Sequence, residues 1–342
     1  MNPWDRFAKK SAPWTLAAFV WVAACTRTPA PGDRLLAPRP QPSPAPRSNG
    51  VREPLRPPVA TVLPARDRVI AVGDVHGDVD ALRAALRVAR VIDATGRWTG
   101  GHAAVVQLGD LLDRGDQERA VIDLATTLGE QAERAGGLFV PIDGNHEIMN
   151  SQGDFRYVTP GGFRDFADVV SLVADPGVLA MLERAPAPMR GRVAAFAPGG
   201  TYARQLAAWN IVQVVGDTVF VHGGLLPEHV RHGFDALNRE VRAFFLGAAT
   251  LPAYLTEEQS PVWLRRFALD DDPATCALAA ETLRAASARR MVVAHTVQRE
   301  GITSACGGTV WRVDVGLSRA YGGPVQVLEI ARGAVSVLTG ER

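Results

Sequence analysis

Five short apolar segments rich in β-branched residues recur along the chain, and a glycine or a polar residue follows each one within two positions. They comprise residues 69–72, 105–108, 138–142, 218–221 and 291–293. Apolar runs of this length, bounded by turn-forming residues, predict the buried strands of an α/β protein. Because parallel strands end at a common edge of a sheet, the polar residues after these segments are predicted to meet there.

Other segments have the apolar spacing of helices or of a hairpin. Residues 162–170, 206–209 and 277–286 place apolar side chains at helical intervals, which predicts three helices. Residues 309–338 alternate between apolar and polar positions, with Arg332-Gly333 near the expected turn. This alternation predicts an antiparallel hairpin at the end of the chain.

The polar residues after the predicted strands form four ordered motifs and one further histidine. They read Gly73-Asp74-Val75-His76-Gly77-Asp78, Gly109-Asp110-Leu111-Leu112-Asp113-Arg114-Gly115, Gly144-Asn145-His146-Glu147, Val221-His222-Gly223-Gly224 and Ala294-His295-Thr296. Oxygen and imidazole ligands without thiolates suit a pair of hydrolytic metals such as Mn, Fe or Zn. This prediction depends on the order of the motifs and on the predicted strand before each one, because a single short motif recurs by chance.

The motifs resemble GDxHG, GDxxDRG and GNHE of the PPP branch of the calcineurin-like metallophosphoesterases. Within that branch the chain is most similar to the bacterial-type, or Shewanella-like, protein phosphatases, through residues 153–157, 261–265 and 311–318. The resemblance extends over roughly residues 66–335. It implies an α/β fold in which a two-sheet β-sandwich is flanked by helices, with a dinuclear metal site at the strand ends.

The resemblance also implies two bound divalent transition metals, which could be Mn, Fe or Zn, and it implies their ligands. The implied ligands are Asp74, His76, Asp110, Asn145, His222 and His295. Asp110 is the expected bridge, because one carboxylate between two cations holds them about 3.5–4 Å apart. Asn145 is neutral and binds through its carbonyl oxygen, so the site keeps more positive charge for a phosphate.

Two further motif residues resemble the family's general acid and its partner. His146 is expected to protonate the leaving alcohol oxygen of the substrate. Asp113 is expected to hold the imidazole of His146 in the required tautomer. A capping role for Asp113 at the following helix is an alternative, and the two roles are compatible.

Phosphate binding is expected from Arg114, because a planar guanidinium grips two oxygens at once. Asn145 is expected to assist at the substrate as well as at the metal. Arg265 is a candidate for a second clamp, although Arg266 could face the site instead and either could form a surface ion pair.

The implied reaction is hydrolysis of a phosphomonoester by direct attack of a metal-bound hydroxide, without a phosphoenzyme. The expected substrate is a phosphoprotein or phosphopeptide, and the choice between phosphoserine or phosphothreonine and phosphotyrosine stays open. One alternative is a dinucleoside polyphosphate or other small-molecule phosphohydrolase, which shares the metal motifs. A second alternative is a non-catalytic surface lipoprotein that binds metal or phosphate, which the complete set of ligands disfavours.

Residues 1–25 have the layout of a bacterial lipoprotein signal peptide. Three basic side chains precede an apolar stretch over residues 14–24, and a Val-Ala-Ala-Cys lipobox ends at Cys25. A spanning helix needs about 20 apolar residues, so this shorter stretch predicts cleavage and lipidation, with an uncleaved anchor as the alternative. We therefore expect an exported lipoprotein, anchored to a membrane on the periplasmic or cell-surface side.

Residues 26–65 are predicted to form a proline-rich linker, because the run at 38–46 favours extended backbone and cannot pack a core. Residues 66–342 are predicted to form the metallophosphoesterase domain. The hydrophobic content of 47 % is sufficient for a core, and a formal net charge of +1 gives no reason to expect a nucleic-acid partner.

Cys276 and Cys306 flank the strand predicted to deliver His295. In an exported protein, such a pair favours a disulfide. Two buried free thiols are the alternative, because free cysteines are common in cores.

Overall fold

The computed structural model describes residues 53–341, so the predicted signal peptide and most of the predicted linker lie outside the described residues. The described part contains eleven strands: β1 (Val62–Leu63), β2 (Arg68–Val72), β3 (Ala104–Gln107), β4 (Leu138–Pro141), β5 (Val212–Val215), β6 (Thr218–Val221), β7 (Arg290–Val293), β8 (Thr303–Ala305), β9 (Val310–Arg312), β10 (Val325–Ala331) and β11 (Ala334–Gly340). One sheet has the order β1-β5-β6-β7-β9-β8, and the other has the order β11-β10-β2-β3-β4.

Eleven α-helices also lie within residues 53–341. They are α1 (Val79–Val88), α2 (Glu118–Arg134), α3 (Asn145–Gln152), α4 (Pro160–Asp165), α5 (Pro176–Arg184), α6 (Arg190–Phe196), α7 (Thr201–Leu206), α8 (Pro227–His232), α9 (Phe234–Phe245), α10 (Arg266–Leu269) and α11 (Pro273–Ala285). Short 3-10 turns occur at Ala187–Met189, Ala253–Thr256 and Cys306–Gly308. Within the same residues, every helix is too short or too polar to traverse a bilayer.

The two sheets pack face to face, and alternate residues of their strands fill the space between them. Ala71 of β2, Val106 of β3 and Val292 of β7 belong to this buried layer. The opposite side chains, such as Val72, face the helices and join the larger core that includes Leu82 of α1. This arrangement confirms the predicted two-sheet sandwich flanked by helices, with all five predicted strands present.

Parallel pairing brings the ends of the predicted strands to one edge. β2 pairs parallel with β3, and β3 pairs parallel with β4. In the second sheet, β6 pairs parallel with β7, and β7 pairs parallel with β9. The loops that follow these strands therefore lie together.

Two of the three predicted helices differ from the structure. The helix predicted over residues 162–170 is α4, which ends at Asp165, and residues 206–209 form the end of α7 and a turn. Phe166 and Trp209 are nonetheless buried, so their apolar character reflects packing of turn residues and not a continuous helix. The third helix is confirmed as α11, which starts earlier because Asp272 caps it and Pro273 occupies its first turn.

The terminal hairpin is shorter than predicted. β10 and β11 pair antiparallel, and the turn at Arg332 and Gly333 has φ values of 48° and 83°. Residues 310–312 instead form β9, which pairs with β7 in the other sheet. Alternation of side chains marks extended backbone but does not reveal the pairing partner, which explains the error.

The folded region begins within the segment predicted to be a linker. Val62 and Leu63 form β1 and pair with Val214 and Val215 of β5. The amide of Leu55 donates a 3.1 Å hydrogen bond to the carbonyl of Arg204. These partners are about 150 residues distant in sequence, so local composition gave no sign of them.

A disulfide joins Cys276 of α11 to Cys306, as predicted. Cys306 lies in the short turn between β8 and β9. Because β9 neighbours β7, the bridge fastens a helix to the part of the sheet that carries His295.

Candidate metal centre and active site

The ligands implied by the motifs meet at the shared edge of the two sheets. Asp74 and His76 follow β2, Asp110 follows β3, Asn145 begins α3 after β4, and His222 and His295 follow β6 and β7. All six side chains are at least 93 % buried. The structure therefore brings the whole predicted ligand set into one buried cluster.

Asp110 lies at the centre of this cluster. Its Oδ2 atom is 3.8 Å from Nε2 of His76 and 3.7 Å from Nε2 of His146, whereas Oδ1 is 3.3 Å from Nε2 of His222. Two groups of potential ligand atoms, one with His76 and His146 and one with His222 and His295, share this carboxylate. A shared carboxylate between two groups is the arrangement expected of a bridging metal ligand.

Backbone carbonyls orient two of the histidines toward the cluster. Nδ1 of His76 lies 2.9 Å from the carbonyl oxygen of Leu112, and Nδ1 of His222 lies 2.7 Å from that of Leu108. Donation from Nδ1 leaves the lone pair of Nε2 facing the other ligands. Nε2 of His295 is buried and has no hydrogen-bond partner, so it too has a free coordinating atom.

The charges of the cluster suit bound cations. Burial raises the pKa of Asp74 well above its usual range, and the nearby Asp314 and Asp110 carboxylates raise it further. Burial lowers the pKa of His76 to about 4 and that of His295 to about 2, so both imidazoles are neutral. Crowded carboxylates and neutral imidazoles are the donors that divalent metals require, and the residues present fit a pair of such ions.

The backbone around the cluster is strained. Five site residues have positive φ, although non-glycine residues rarely adopt it: His76, Asp110, Asp113, Arg114 and His295. Each such residue costs on the order of 1–3 kcal/mol, which the surrounding structure has to offset. At these five residues the surrounding structure therefore holds the loops in conformations that side chains rarely adopt.

Glu147 supplies part of that support, and the sequence analysis assigned it no role. Its carboxylate accepts hydrogen bonds from the amides of Gly144, Asp110, Leu111 and Leu112, at 2.7 to 3.2 Å. Burial raises its pKa to about 7, with the Asp110 carboxylate adding to the shift. A glutamate three residues after a helix N-cap is a known capping signal, and this spacing could have revealed it.

Asp314 was also missed as a member of the cluster. It follows β9, which is parallel to β7, so it reaches the same edge as the implied ligands. Its side chain is 1 % exposed, and burial raises its pKa to about 6. The sequence analysis used residues 311–318 only as a similarity, because the position of β9 was not predicted.

His146 and Asp113 form a buried couple beside Asp110. Nδ1 of His146 lies 2.5 Å from Oδ2 of Asp113, which leaves Nε2 directed at the cluster. Burial lowers the pKa of His146, but the Asp110 and Asp113 carboxylates outweigh burial and raise it overall. A histidine held by a carboxylate in this way can carry a proton to a reacting oxygen.

Arg114 lies between two tyrosines that the sequence analysis did not single out. Its guanidinium carbon is 4.4 Å from the ring centre of Tyr157 and 5.2 Å from that of Tyr321. The same rings lie 5.1 Å from His146 and 5.5 Å from His76, respectively. The two partly exposed rings therefore fix the cation at the mouth of the cluster.

The structure distinguishes Arg265 from Arg266. Nη1 of Arg265 donates 3.0 Å hydrogen bonds to the carbonyl of His295 and to Oγ1 of Thr296. Arg266 instead bonds Thr275 of α11. Of the two, Arg265 is therefore the one that lies against the cluster.

Residues 67–296 match the family model described as calcineurin-like phosphoesterase. The chain belongs to this family. It is 40 % identical over 295 residues to Shewanella-like protein phosphatase 2 of Arabidopsis thaliana, covering 78 % of this chain and 75 % of that protein. It is also 32 % identical to an uncharacterized protein of Schizosaccharomyces pombe, with 77 % of each chain covered.

The fold also matches the crystal structure of a cold-active protein-tyrosine phosphatase of a psychrophilic Shewanella species. The TM-score is 0.65 at 24 % identity, with 83 % of each chain covered. This calcineurin-like phosphoesterase is a metal-dependent phosphatase, as the motifs predicted. Its family implies divalent metals, for which the described residues provide candidate ligands.

Proposed function

We propose that this protein is a phosphoprotein phosphatase that hydrolyses phosphomonoesters by direct attack of water. The observation that carries the proposal is the His146–Asp113 couple, whose free Nε2 faces Asp110 across 3.7 Å. A relative 40 % identical to this chain carries the name protein phosphatase, which supports a protein substrate. An open groove of about 810 Å³ beside His76 and Arg114 offers room for an extended peptide.

The proposed metal ligands are the six residues implied by the motifs. Asp74 and His76 would hold one ion, Asp110 would bridge, and Asn145, His222 and His295 would hold the second. The bound pair supplies Lewis acidity that activates water and neutralises phosphoryl charge. Oxygen and nitrogen donors suit Mn, Fe or Zn, and we propose Mn as the first ion to test.

The remaining site residues act on the phosphoryl group and the leaving oxygen. Arg114 would bind two phosphoryl oxygens, with Asn145 and Arg265 as further candidate contacts. As the water oxygen joins phosphorus and loses one proton to solvent, the ester P–O bond breaks and protonated His146 gives its Nε2 proton to the departing oxygen. His146 is then reprotonated from solvent. The products are the free hydroxyl side chain and inorganic phosphate, so no covalent enzyme intermediate forms.

A substrate panel tests the proposal. Protein reconstituted with Mn should hydrolyse at least one of three matched phosphopeptides, containing phosphoserine, phosphothreonine or phosphotyrosine, faster than a dinucleoside tetraphosphate. The Asp110→Asn variant, prepared in parallel, controls for contaminating phosphatases. A higher kcat/KM for the dinucleotide than for every peptide would contradict the proposal and favour the small-molecule alternative.

We also propose export and membrane anchoring through a lipidated Cys25. The basic residues, the apolar stretch over 14–24 and the lipobox support the proposal. The Cys276–Cys306 disulfide is consistent with an oxidising compartment on the periplasmic or cell-surface side.

Mass spectrometry of the mature N-terminus tests the anchor. An acylated Cys25 is expected, and Cys25→Ala should abolish acylation and release the protein from membrane fractions. Cys306→Ser, which leaves the lipobox intact, is the matched cysteine control and should remain acylated. An unmodified Cys25 inside a longer mature chain would contradict the proposal.

A further inference from the structure

A fully buried cation lies behind the proposed general acid. Arg192 belongs to α6, and its side chain is 0 % exposed. Its guanidinium donates hydrogen bonds to Asp113 Oδ1 at 3.0 Å, to Asn150 Oδ1 at 2.7 Å and to the carbonyl of Gly162 at 3.1 Å. The same guanidinium forms a two-contact ion pair with the Glu118 carboxylate. A fully buried charged side chain is rare unless oppositely charged or hydrogen-bonding groups pair with it.

Arg192 fixes the side chain of Asp113. One oxygen of Asp113 faces Nδ1 of His146, while the other accepts from Arg192 and, at 3.0 Å, from Asn150. A carboxylate that is hydrogen-bonded through one oxygen can rotate about its side-chain bond, whereas hydrogen bonds to both oxygens prevent that rotation. Because Arg192 also holds Asn150, both contacts to the second oxygen depend on Arg192. The plane of the carboxylate, and hence the direction of the imidazole, is therefore set from behind.

Arg192 also holds the backbone of Asp113 through Glu118. Oε1 of Glu118 accepts a 2.5 Å hydrogen bond from the amide of Asp113 and a 3.0 Å hydrogen bond from Arg192. Asp113 has a positive φ of 67°, so this support acts where the backbone is strained. Without the cation, two buried carboxylates would lie side by side and repel each other.

The packing of Arg192 favours a guanidinium over an ammonium. Its Cζ atom lies 5.4 Å from the ring centre of Phe166 and 5.1 Å from that of Phe196. The two rings are 4.9 Å apart and steeply inclined to each other, so they cover one side of the guanidinium. Its five hydrogen-bonding contacts point in the directions of a planar fork. A lysine would keep the charge but could reach fewer of these acceptors.

We propose that Arg192 is a positioning residue, which fixes Asp113 so that His146 directs its proton at the leaving oxygen. The proposal rests on the proposed function, because it assumes that His146 is the acid. Arg192 contacts none of the implied metal ligands. The helical segment α4–α7 thereby contributes to the reaction without touching the substrate.

The test compares Arg192→Met and Arg192→Lys with Arg190→Met, a control in which an exposed arginine of the same helix is replaced. Each variant is assayed on a series of aryl phosphates whose phenols range from strongly to weakly acidic. For the poorest leaving group, kcat of Arg192→Met should fall about 10- to 100-fold, the usual cost of losing support behind a catalytic group. For p-nitrophenyl phosphate the loss should be small, since its phenolate leaves without a proton.

Further readouts separate positioning from general damage. KM and the metal content should match those of the wild type, Arg192→Lys should recover part of the lost kcat, and Arg190→Met should behave as wild type. If Arg192→Met does not fold, the double variant Arg192→Met/Glu118→Gln, which removes both charges, should show the same leaving-group bias.

Equal losses along the whole aryl series, or unchanged kcat in a folded Arg192→Met protein, would overturn the proposal. The aryl series does not depend on which phosphorylated molecule is the natural substrate. Failure of the positioning role and failure of the phosphoprotein assignment therefore give different results.

Discussion

The sheet edge and the helical segment α4–α7 serve the same reaction in different ways. At the sheet edge, the segments that follow buried strands place six potential metal ligands within one cluster. The helical segment contributes none of those ligands and instead buries Arg192 against Asp113. The fold therefore places the proposed metal ligands at the sheet edge, whereas Arg192, which supports the His146–Asp113 couple from behind, comes from the helical segment.

The two regions also differ in how firmly they are packed. The strands of the sheet edge are almost wholly buried, whereas Val170 and Leu172 in the helical segment are 76 % and 87 % exposed. Because the proposed metal ligands lie at the sheet edge, substitutions of those residues should change the metal content. Substitutions that affect the His146–Asp113 couple should change the response to the leaving group and leave the metals bound.

Asp110→Asn should have the largest effect, and it tests the role of the sheet edge in holding the metals. Asp110 lies between both groups of potential ligands, so its loss weakens both metal positions together. The fall in kcat/KM should exceed the about 10²- to 10³-fold cost of removing one transition-state donor. Activity is measured alongside metal content by mass spectrometry.

Asp143→Asn is the matched control for that prediction. Asp143 is also a fully buried carboxyl but lies outside both ligand groups. It should retain both metals and most of its activity. Equal metal loss in the two variants would mean that replacing any buried carboxyl group near the site disrupts it.

His146→Asn should have the next largest effect, and it tests the role of the His146–Asp113 couple in protonating the leaving group. With a phosphoserine peptide, whose alkoxide leaves poorly, the loss should be on the order of 10²-fold or more. With p-nitrophenyl phosphate it should be much smaller, and Asp113→Asn should show the same bias at lower amplitude. Equal losses with both substrates, together with lost metal, would assign His146 a structural role.

Arg114→Ala should weaken substrate binding without changing the response to the leaving group, because the proposed contact of Arg114 is with the phosphoryl oxygens and not with the leaving oxygen. Losing one charge-assisted pair worth about 1.5–3 kcal/mol corresponds to roughly a 10- to 100-fold loss in kcat/KM. The loss should be similar for the peptide and for the aryl phosphate. A strong dependence on the leaving group would place Arg114 with His146 and contradict the assigned contact.

Cys276→Ser should have the smallest effect on catalysis. The disulfide joins α11 to the turn before β9, and neither cysteine belongs to a group of potential ligands. Its removal should lower the free energy of unfolding by about 2–4 kcal/mol and leave kcat and metal content nearly unchanged. Thermal unfolding with and without reductant measures the change, and a large loss of bound metal would contradict it.

The sequence predicted the sheet edge well for a physical reason. A buried strand followed by a ligand residue is a local pattern, so the strands before Asp74 and Asp110 could be predicted directly. The family resemblance then related the distant motifs to one another. The roles of the individual ligands stay predictions, although the structure brings these residues together.

The supporting residues could not be predicted because their partners are distant in sequence. Arg192 is 79 positions from Asp113, and its helix has no motif that marks a buried arginine. Predicting that Asp314 reaches the site required the position of β9. Alternation alone placed these residues in the terminal hairpin, whereas β9 pairs with β7. Tyr157 and Tyr321 are partly exposed and look like ordinary surface residues until Arg114 is placed between them.

The most direct test measures phosphopeptide hydrolysis as a function of metal content in the wild-type protein. Activity should vanish when chelation removes the metals and return with Mn, reaching its maximum at about two equivalents per chain. The same titration of Arg192→Met should saturate at the same two equivalents but at a lower plateau. Full activity in a demonstrably metal-free preparation would contradict the dinuclear centre on which the proposed mechanism depends.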